Sequence, residues 1–270
     1  MVTTLTPQSW TELSDLLFEK NPASGKYRLY VAFRGLSRHY PEGELRTGIQ
    51  RISDSTEKYF AHRANLSVIE RRLIDTFRNY AQEHHPELAS DWEVLALARH
   101  YRLCTRLVDW TMSPYVALFF ATEDPTAWSE DGVIWCAKRE AARDLLPQKL
   151  RTVLEERNTY VFTTRLLGES FKTLMDLDQD PLVKDTMIWF EPASISPRIV
   201  NQYAIFSVMQ GVQTLQHLYF ESNPGLAHRI IIPSRLKPDI HTRLQVMNLS
   251  HRTIYPGLDG IALWLNSYYA

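Results

Sequence analysis

The chain has 270 residues, 44% hydrophobic and 23% charged, which is the composition of a folded globular protein long enough to bury a full core. Thirty Lys and Arg against 31 Asp and Glu leave a formal charge of −1, which excludes a global basic field that would draw the protein to nucleic acid or anionic lipid. Cys104 and Cys136, the only cysteines, are too few for a disulfide scaffold or a cysteine zinc site and fit a reducing, cytoplasmic compartment.

In chain order, residues 7–19 read as an amphipathic helix, with no basic segment followed by an apolar core, so no signal peptide is expected. The turn-rich stretch 21–26 precedes a strand over 27–34, with Leu29, Val31 and Phe33 on one face and Tyr30, Ala32 and Arg34 on the other; Gly35 ends it. Two helices follow, at roughly 68–83 and 91–102, each opened by a Ser-x-x-Glu capping pattern: Ser67 with Glu70, Ser90 with Glu93. Ser113-Pro114 then supplies an N-cap and a first-turn proline for a short buried helix over the apolar run 116–121, itself too short to span a bilayer. A strand at 133–137 comes next, then a polar, mostly helical region over 140–190 with an Asp-rich loop at 176–181. Strands at 198–208 and 228–233, a helix at 234–247 and an apolar piece at 258–265 packed on the core complete the chain. With no repeat or linker, one α+β domain with helical insertions is expected.

The run 100–111, His-Tyr-Arg-Leu-Cys-Thr-Arg-Leu-Val-Asp-Trp-Thr, packs polar side chains between apolar segments, a costly arrangement unless they meet each other or a ligand. Arg106 and Asp109 lie three apart in an extended piece and point to opposite faces, so each needs its own partner: His100 or Arg34 for Asp109, a ligand or another carboxylate for Arg106. Arg34, at a strand end beside Gly35, is placed either to grip a phosphate or to pair with a carboxylate, and Gly35 lets a ligand approach the backbone. Thr111 and Ser113 are placed to bond a ligand hydroxyl or a helix start, capping being the simpler role for Ser113. Gln202 falls in the apolar register of its strand, with Val200, Ala204 and Phe206, so its amide needs a specific partner. Walker, dinucleotide-fingerprint, serine-elbow and zincin motifs are absent from the sequence, and the adjacent His84 and His85 diverge on a helix.

Phe33-Arg34-Gly35, the block from His100 through Ser113-Pro114 and Ala117-Leu118-Phe119-Phe120-Ala121, Arg198 with Asn201-Gln202 and Phe206, and the tail Tyr255-Pro256-Gly257-Leu258-Asp259-Gly260 together resemble the FRG domain family, named for the first triplet. The resemblance covers about residues 27–265 and leaves 1–26 as an N-terminal helical extension. Arg99, Arg102 and Cys104 stand where family members commonly carry Gln, Gly and Pro, so the loop before Thr105 is expected to depart from the family's path.

The resemblance implies a bacterial or phage protein with a toxin or antiviral-defence role. It also implies a central split or mixed β-sheet with an order of elements similar to that of ADP-ribosyltransferases. Such enzymes share an Arg or His on an early strand, a Ser/Thr or Tyr motif in the middle and a Glu on a late strand; by position these become Arg34, Thr111 to Ser113, and Gln202. The implied activity is transfer or release of ADP-ribose from NAD as substrate, to a protein or nucleic-acid acceptor. Arg34, Gly35, His100, Arg106 and Ser113 would bind the nucleotide, and Gln202, Asp109 and Thr111 would lie at the reacting centre. Gln202 carries no charge, so either Asp109 supplies it or the protein binds a nucleotide without efficient turnover. The alternative is a non-catalytic nucleotide- or partner-sensing module, and a third reading is a metal-dependent nuclease on His100 and Asp109.

Overall fold

The computed structural model describes residues 2–18, 20, 25, 31–40, 45–56, 65–86, 88–193 and 196–269. Among them eight strands form one mixed sheet: β1 (Thr3–Leu5), β2 (Val31–Leu36), β3 (Val108–Thr111), β4 (Gly132–Lys138), β5 (Phe162–Thr163), β6 (Ile188–Glu191), β7 (Ala204–Val208) and β8 (Ala227–Ile232), in spatial order β1-β8-β4-β2-β3-β7-β6-β5. The two outer pairs, β1 with β8 and β5 with β6, are parallel, and the rest are antiparallel. The α+β single-sheet expectation holds in that form.

Period-2 alternation sorts β2 between two layers. Val31 and Phe33 pack with Ile134, Cys136, Ile230 and Ile232 under the helices Trp10–Leu17, Pro114–Thr122 and Lys237–Val246; Ala32 packs on the other side with Val133, Trp135 and Phe220. A third cluster joins β6 and β7 to the helix Asp91–His100 through Trp92, Phe190 and Phe206. The centre of the sheet is its thinnest seam: β2 and β3 share a single register pair, Phe33 with Thr111, whereas β2 and β4 share six.

Local rules account for the elements that frame this seam. Ser90 and Glu93 form the expected capping box, and Ser113 Oγ accepts from Val116 N at 3.4 Å with Pro114 in the first turn of its helix. That helix is apolar all round, so it is buried all round, with Val116, Ala117, Leu118, Phe119 and Ala121 at 1% exposure or less.

Several expectations are corrected. Asn65, not Ser67, caps the helix Leu66–Ala81, because Glu70 is drawn inward to a buried arginine. Gly35 lies within β2 and does not end it, since its pairing with Ile134 continues to Leu36. Gln202 is off the strand: Ser196 and Pro197 start a short helix, Pro197–Asn201, which Gln202 caps, and Tyr203 at φ 47° turns the chain into β7. The Asp-rich stretch coils into the helix Leu174–Gln179, through a capping box of Thr173 with Asp176. The helix Leu258–Asn266 leaves Leu258, Ile261, Leu263 and Leu265 exposed where core packing was expected. Strands β1, β5 and β6 were unanticipated; β1 makes the N-terminal segment the sheet's edge, beyond the helix expected there. Residues 21–24 and 26–30 of the expected turn and strand lie outside the described residues.

Candidate functional site

A cavity of about 300 Å³ opens where β2 and β3 separate. Phe33, Arg34, Gly35, Leu36 and Ser37 form one wall, and Asp109, Trp110 and Thr111 the facing one. The end of the helix Asp91–His100 brings Arg99, His100 and Arg102; the helix Pro114–Thr122 ends in Phe120 and Glu123; the short helix of Arg198 and Gln202 closes the rim. Of the residues anticipated for a site, the structure brings together Arg34, Gly35, His100, Asp109, Thr111 and Gln202. Arg106 and Ser113 do not line this cavity.

Arg106 is 4% exposed and fully engaged elsewhere. Its Nε donates to Glu70 Oε2 at 2.8 Å, and its Nη1 and Nη2 donate to Asp178 at 2.6 and 3.0 Å. Arg106 precedes β3, and of its two alternatives the carboxylate partner is the one realised. Ser113 spends its side chain on the helix start.

Asp109 pairs chiefly with Arg99, in addition to the expected Arg34. Arg99 Nε donates to Oδ1 at 2.7 Å and Oδ2 at 2.9 Å, and Nη2 also reaches Oδ2, while Arg34 Nη1 lies 3.6 Å from Oδ2 and donates to the Asp109 backbone carbonyl at 2.8 Å. Burial alone would raise the Asp109 carboxyl, but Arg99, then Arg34, outweighs it and holds it below the usual carboxylate range. Arg34 is pushed down to about 10, chiefly by burial against the pull of Asp109, and remains a cation at neutral pH; its Nε is buried without a hydrogen bond among the described residues.

Thr111 Oγ1 donates to the Gln202 carbonyl at 2.6 Å and accepts from Ser113 N at 3.0 Å, so its hydroxyl joins β3 to the rim. Gln202 Nε2 donates to the Ile254 carbonyl at 3.2 Å, and Asn201 Nδ2 to Thr253 O at 2.8 Å, which fastens the rim to the C-terminal tail. Burial first, then the Arg198 charge, pushes His100 down to about 4, so it is a neutral imidazole near Ser196 Oγ, at 3.4 Å.

Four further residues emerge from the geometry. Glu123, just past the helix Pro114–Thr122, accepts from the Tyr255 hydroxyl at 2.8 Å and lies 3.8 Å from His251 Nε2; burial lifts its carboxyl to about 7. The Arg198 guanidinium stacks 4.8 Å from the Tyr255 ring centroid, and that of Arg102 lies 5.8 Å from it. Glu123 had a usable sequence signal, an acid directly after a fully apolar helix. Arg102 sits at φ 65°, the left-handed region a glycine enters freely.

Gly35 serves packing. A Cβ there would stand 1.8 Å from the Ala117 carbonyl oxygen, so the helix Pro114–Thr122 lies directly on β2 only because position 35 lacks a side chain. In the tail, Gly257 takes φ 105°, and a Cβ on Gly260 would meet the Tyr255 carbonyl oxygen at 1.7 Å. The glycines of both motifs thus hold the elements that carry Arg34 and Tyr255.

Residues 30–130 match the family model of the FRG domain. Over this stretch the chain is similar to the FRG domain. The match spans β2, β3 and the helices between and after them, and so includes Arg34, Arg99, His100, Arg102, Asp109 and Glu123; the rim and tail that complete the cavity lie beyond it. No curated protein and no solved structure matches the chain. Among the described residues no helix is long and apolar enough to cross a membrane, and no group of three or more His, Cys, Asp or Glu is placed to hold a metal ion.

Proposed function

We propose that the cleft binds NAD as a substrate and transfers its ADP-ribose to an acceptor or to water. One observation carries this reading: Arg102 and Arg198 stand over Tyr255 at the cavity with no carboxylate paired to either among the described residues. Guanidinium groups beside a cavity that are held in no ion pair suit a diphosphate, whose oxygens match their planar forks. A volume of about 300 Å³ is at the low end for ligand sites and suits a ribose and its base more than a macromolecular segment.

Cleaving the nicotinamide–ribose bond sends the bonding pair out with neutral nicotinamide and leaves positive charge on the ribose, which a fixed carboxylate would stabilise. A cytoplasmic toxin or antiviral-defence role rests on the FRG resemblance alone.

A second reading, a nucleotide sensor without turnover, draws on a different observation. Asp109 is bound by Arg99 and Arg34, Thr111 Oγ1 bonds the Gln202 carbonyl, and Gln202 Nε2 is tied to Ile254, so each of the three reacting groups anticipated from sequence is already engaged. Incubating the protein with NAD, while following its melting temperature and the nicotinamide released, separates the two. Nicotinamide formed together with ADP-ribose or an ADP-ribosylated acceptor supports the enzyme. A raised melting temperature without product supports the sensor, and neither response overturns both.

A further inference from the structure

We propose that Glu123 is the catalytic base of this cleft, taking the proton from the water or hydroxyl group that attacks the ribose, and that Tyr255 is its positioning residue. This rests on the NAD reading above and assigns the acceptor a chemical class, an O–H nucleophile.

Among the described residues two carboxylates line the cavity, and Asp109 already accepts three bonds from Arg99 with Arg34 alongside. Glu123 pairs with no arginine among the described residues: Oε2 takes the Tyr255 hydroxyl at 2.8 Å, and Oε1 makes no hydrogen bond. One oxygen is therefore held and the other is open to a proton. His100, the remaining candidate, is pushed down to about 4 by burial and by Arg198, and is a weak base at neutral pH.

Position and charge agree with the role. Glu123 follows a helix packed on β2 through Gly35, so its backbone is fixed relative to Arg34. The groups facing it are Tyr255 and His251 from the tail, Arg102 from the loop after the helix Asp91–His100, Arg198 from the rim and the neighbouring Asp124. Burial lifts its carboxyl to about 7; the Tyr255 bond, Arg102 and Arg198 pull the other way, and Asp124 adds a small rise. A base poised there is half available at neutral pH, where general-base catalysis is efficient. The step balances: the acceptor oxygen bonds the ribose carbon, its proton passes to Glu123, the carbon–nitrogen bond breaks, and nicotinamide leaves with the pair.

The test measures NAD affinity and nicotinamide release across pH 5 to 9 for the wild type, Glu123→Gln and Tyr255→Phe. Glu123→Gln should keep NAD affinity within about threefold and lose about 100-fold or more in turnover. Tyr255→Phe should keep most of the high-pH rate and move the acid limb up by roughly 0.5 to 1 pH unit, because the bond that lowers Glu123 is gone. Turnover retained in Glu123→Gln, or a lower plateau with an unmoved limb in Tyr255→Phe, overturns the assignment while leaving NAD binding intact. A wild type that binds NAD without turnover also overturns it, whereas a wild type that fails to bind NAD overturns the underlying reading.

Discussion

The α-carbon of Gly35 faces the carbonyl of Ala117 so closely that a methyl group added to the glycine would lie 1.8 Å from that oxygen. Both residues lie within the stretch 30–130 that matches the FRG-domain model. Their contact seats the helix Pro114–Thr122, and with it Glu123, against the strand that carries Arg34.

Gly35→Ala should therefore lose about 3 kcal/mol or more of stability, because the obstacle is backbone and cannot turn aside. Denaturant unfolding measures it. A loss under about 0.5 kcal/mol would mean that strand and helix are not seated as described.

The buried ion pair of Arg106 is expected to act on stability alone. Glu70→Ala leaves a guanidinium that is 4% exposed with only Asp178, so a loss of about 3 to 5 kcal/mol is expected, again by denaturant unfolding. In conditions where the variant stays folded, its NAD affinity should match the wild type.

Glu123 also leaves a trace in stability against pH. Its folded carboxyl titrates near 7 against the usual 4.5, so in the fold it holds its proton longer than in the unfolded chain. The stability it contributes is complete below about 4.5 and is lost as pH rises through about 7. Glu123→Gln should therefore gain on the wild type across that window in unfolding free energies measured at pH 5 and pH 8. His100, depressed to about 4, acts in the opposite direction below pH 6.5, but it is present in both proteins and cancels in the difference.

Arg102 joins strain to charge. At φ 65° it occupies a region that costs an ordinary residue about 1 kcal/mol, and its guanidinium lies 5.8 Å from the Tyr255 ring. Arg102→Gly should keep or raise stability, by up to about 1 kcal/mol, while weakening NAD binding about tenfold; thermal melts with calorimetric titration read both.

The sequence was most informative where local chemistry decides structure. Ser90 with Glu93 and Ser113 with Pro114 marked helix starts because capping is a local interaction, and the alternation of Val31 and Phe33 with Ala32 and Arg34 marked a strand, which the structure buries on both faces. Where partners come from afar, it was silent. Glu70 looks like a capping residue until Arg106, 36 positions on, claims it. Gln202 looks like a strand residue because it shares a period-2 register with Val200, Ala204 and Phe206, yet Ser196-Pro197 starts a helix there. In the cleft, Arg34, His100, Asp109, Thr111 and Gln202 were legible as unsatisfied polar groups in apolar runs. Arg99, Glu123 and Arg198 acquire meaning only once the seam between β2 and β3 draws three helix ends together.

In the proposed reading, Arg102 and Arg198, held in no ion pair among the described residues, grip the diphosphate of NAD. Calorimetric titration of NAD into the wild type and into Arg198→Ala, with folds matched by circular dichroism, tests it most directly. Loss of one charge-assisted contact should weaken binding by about 10- to 100-fold in the variant. Equal affinity for the two proteins, or no binding to the wild type, would contradict it.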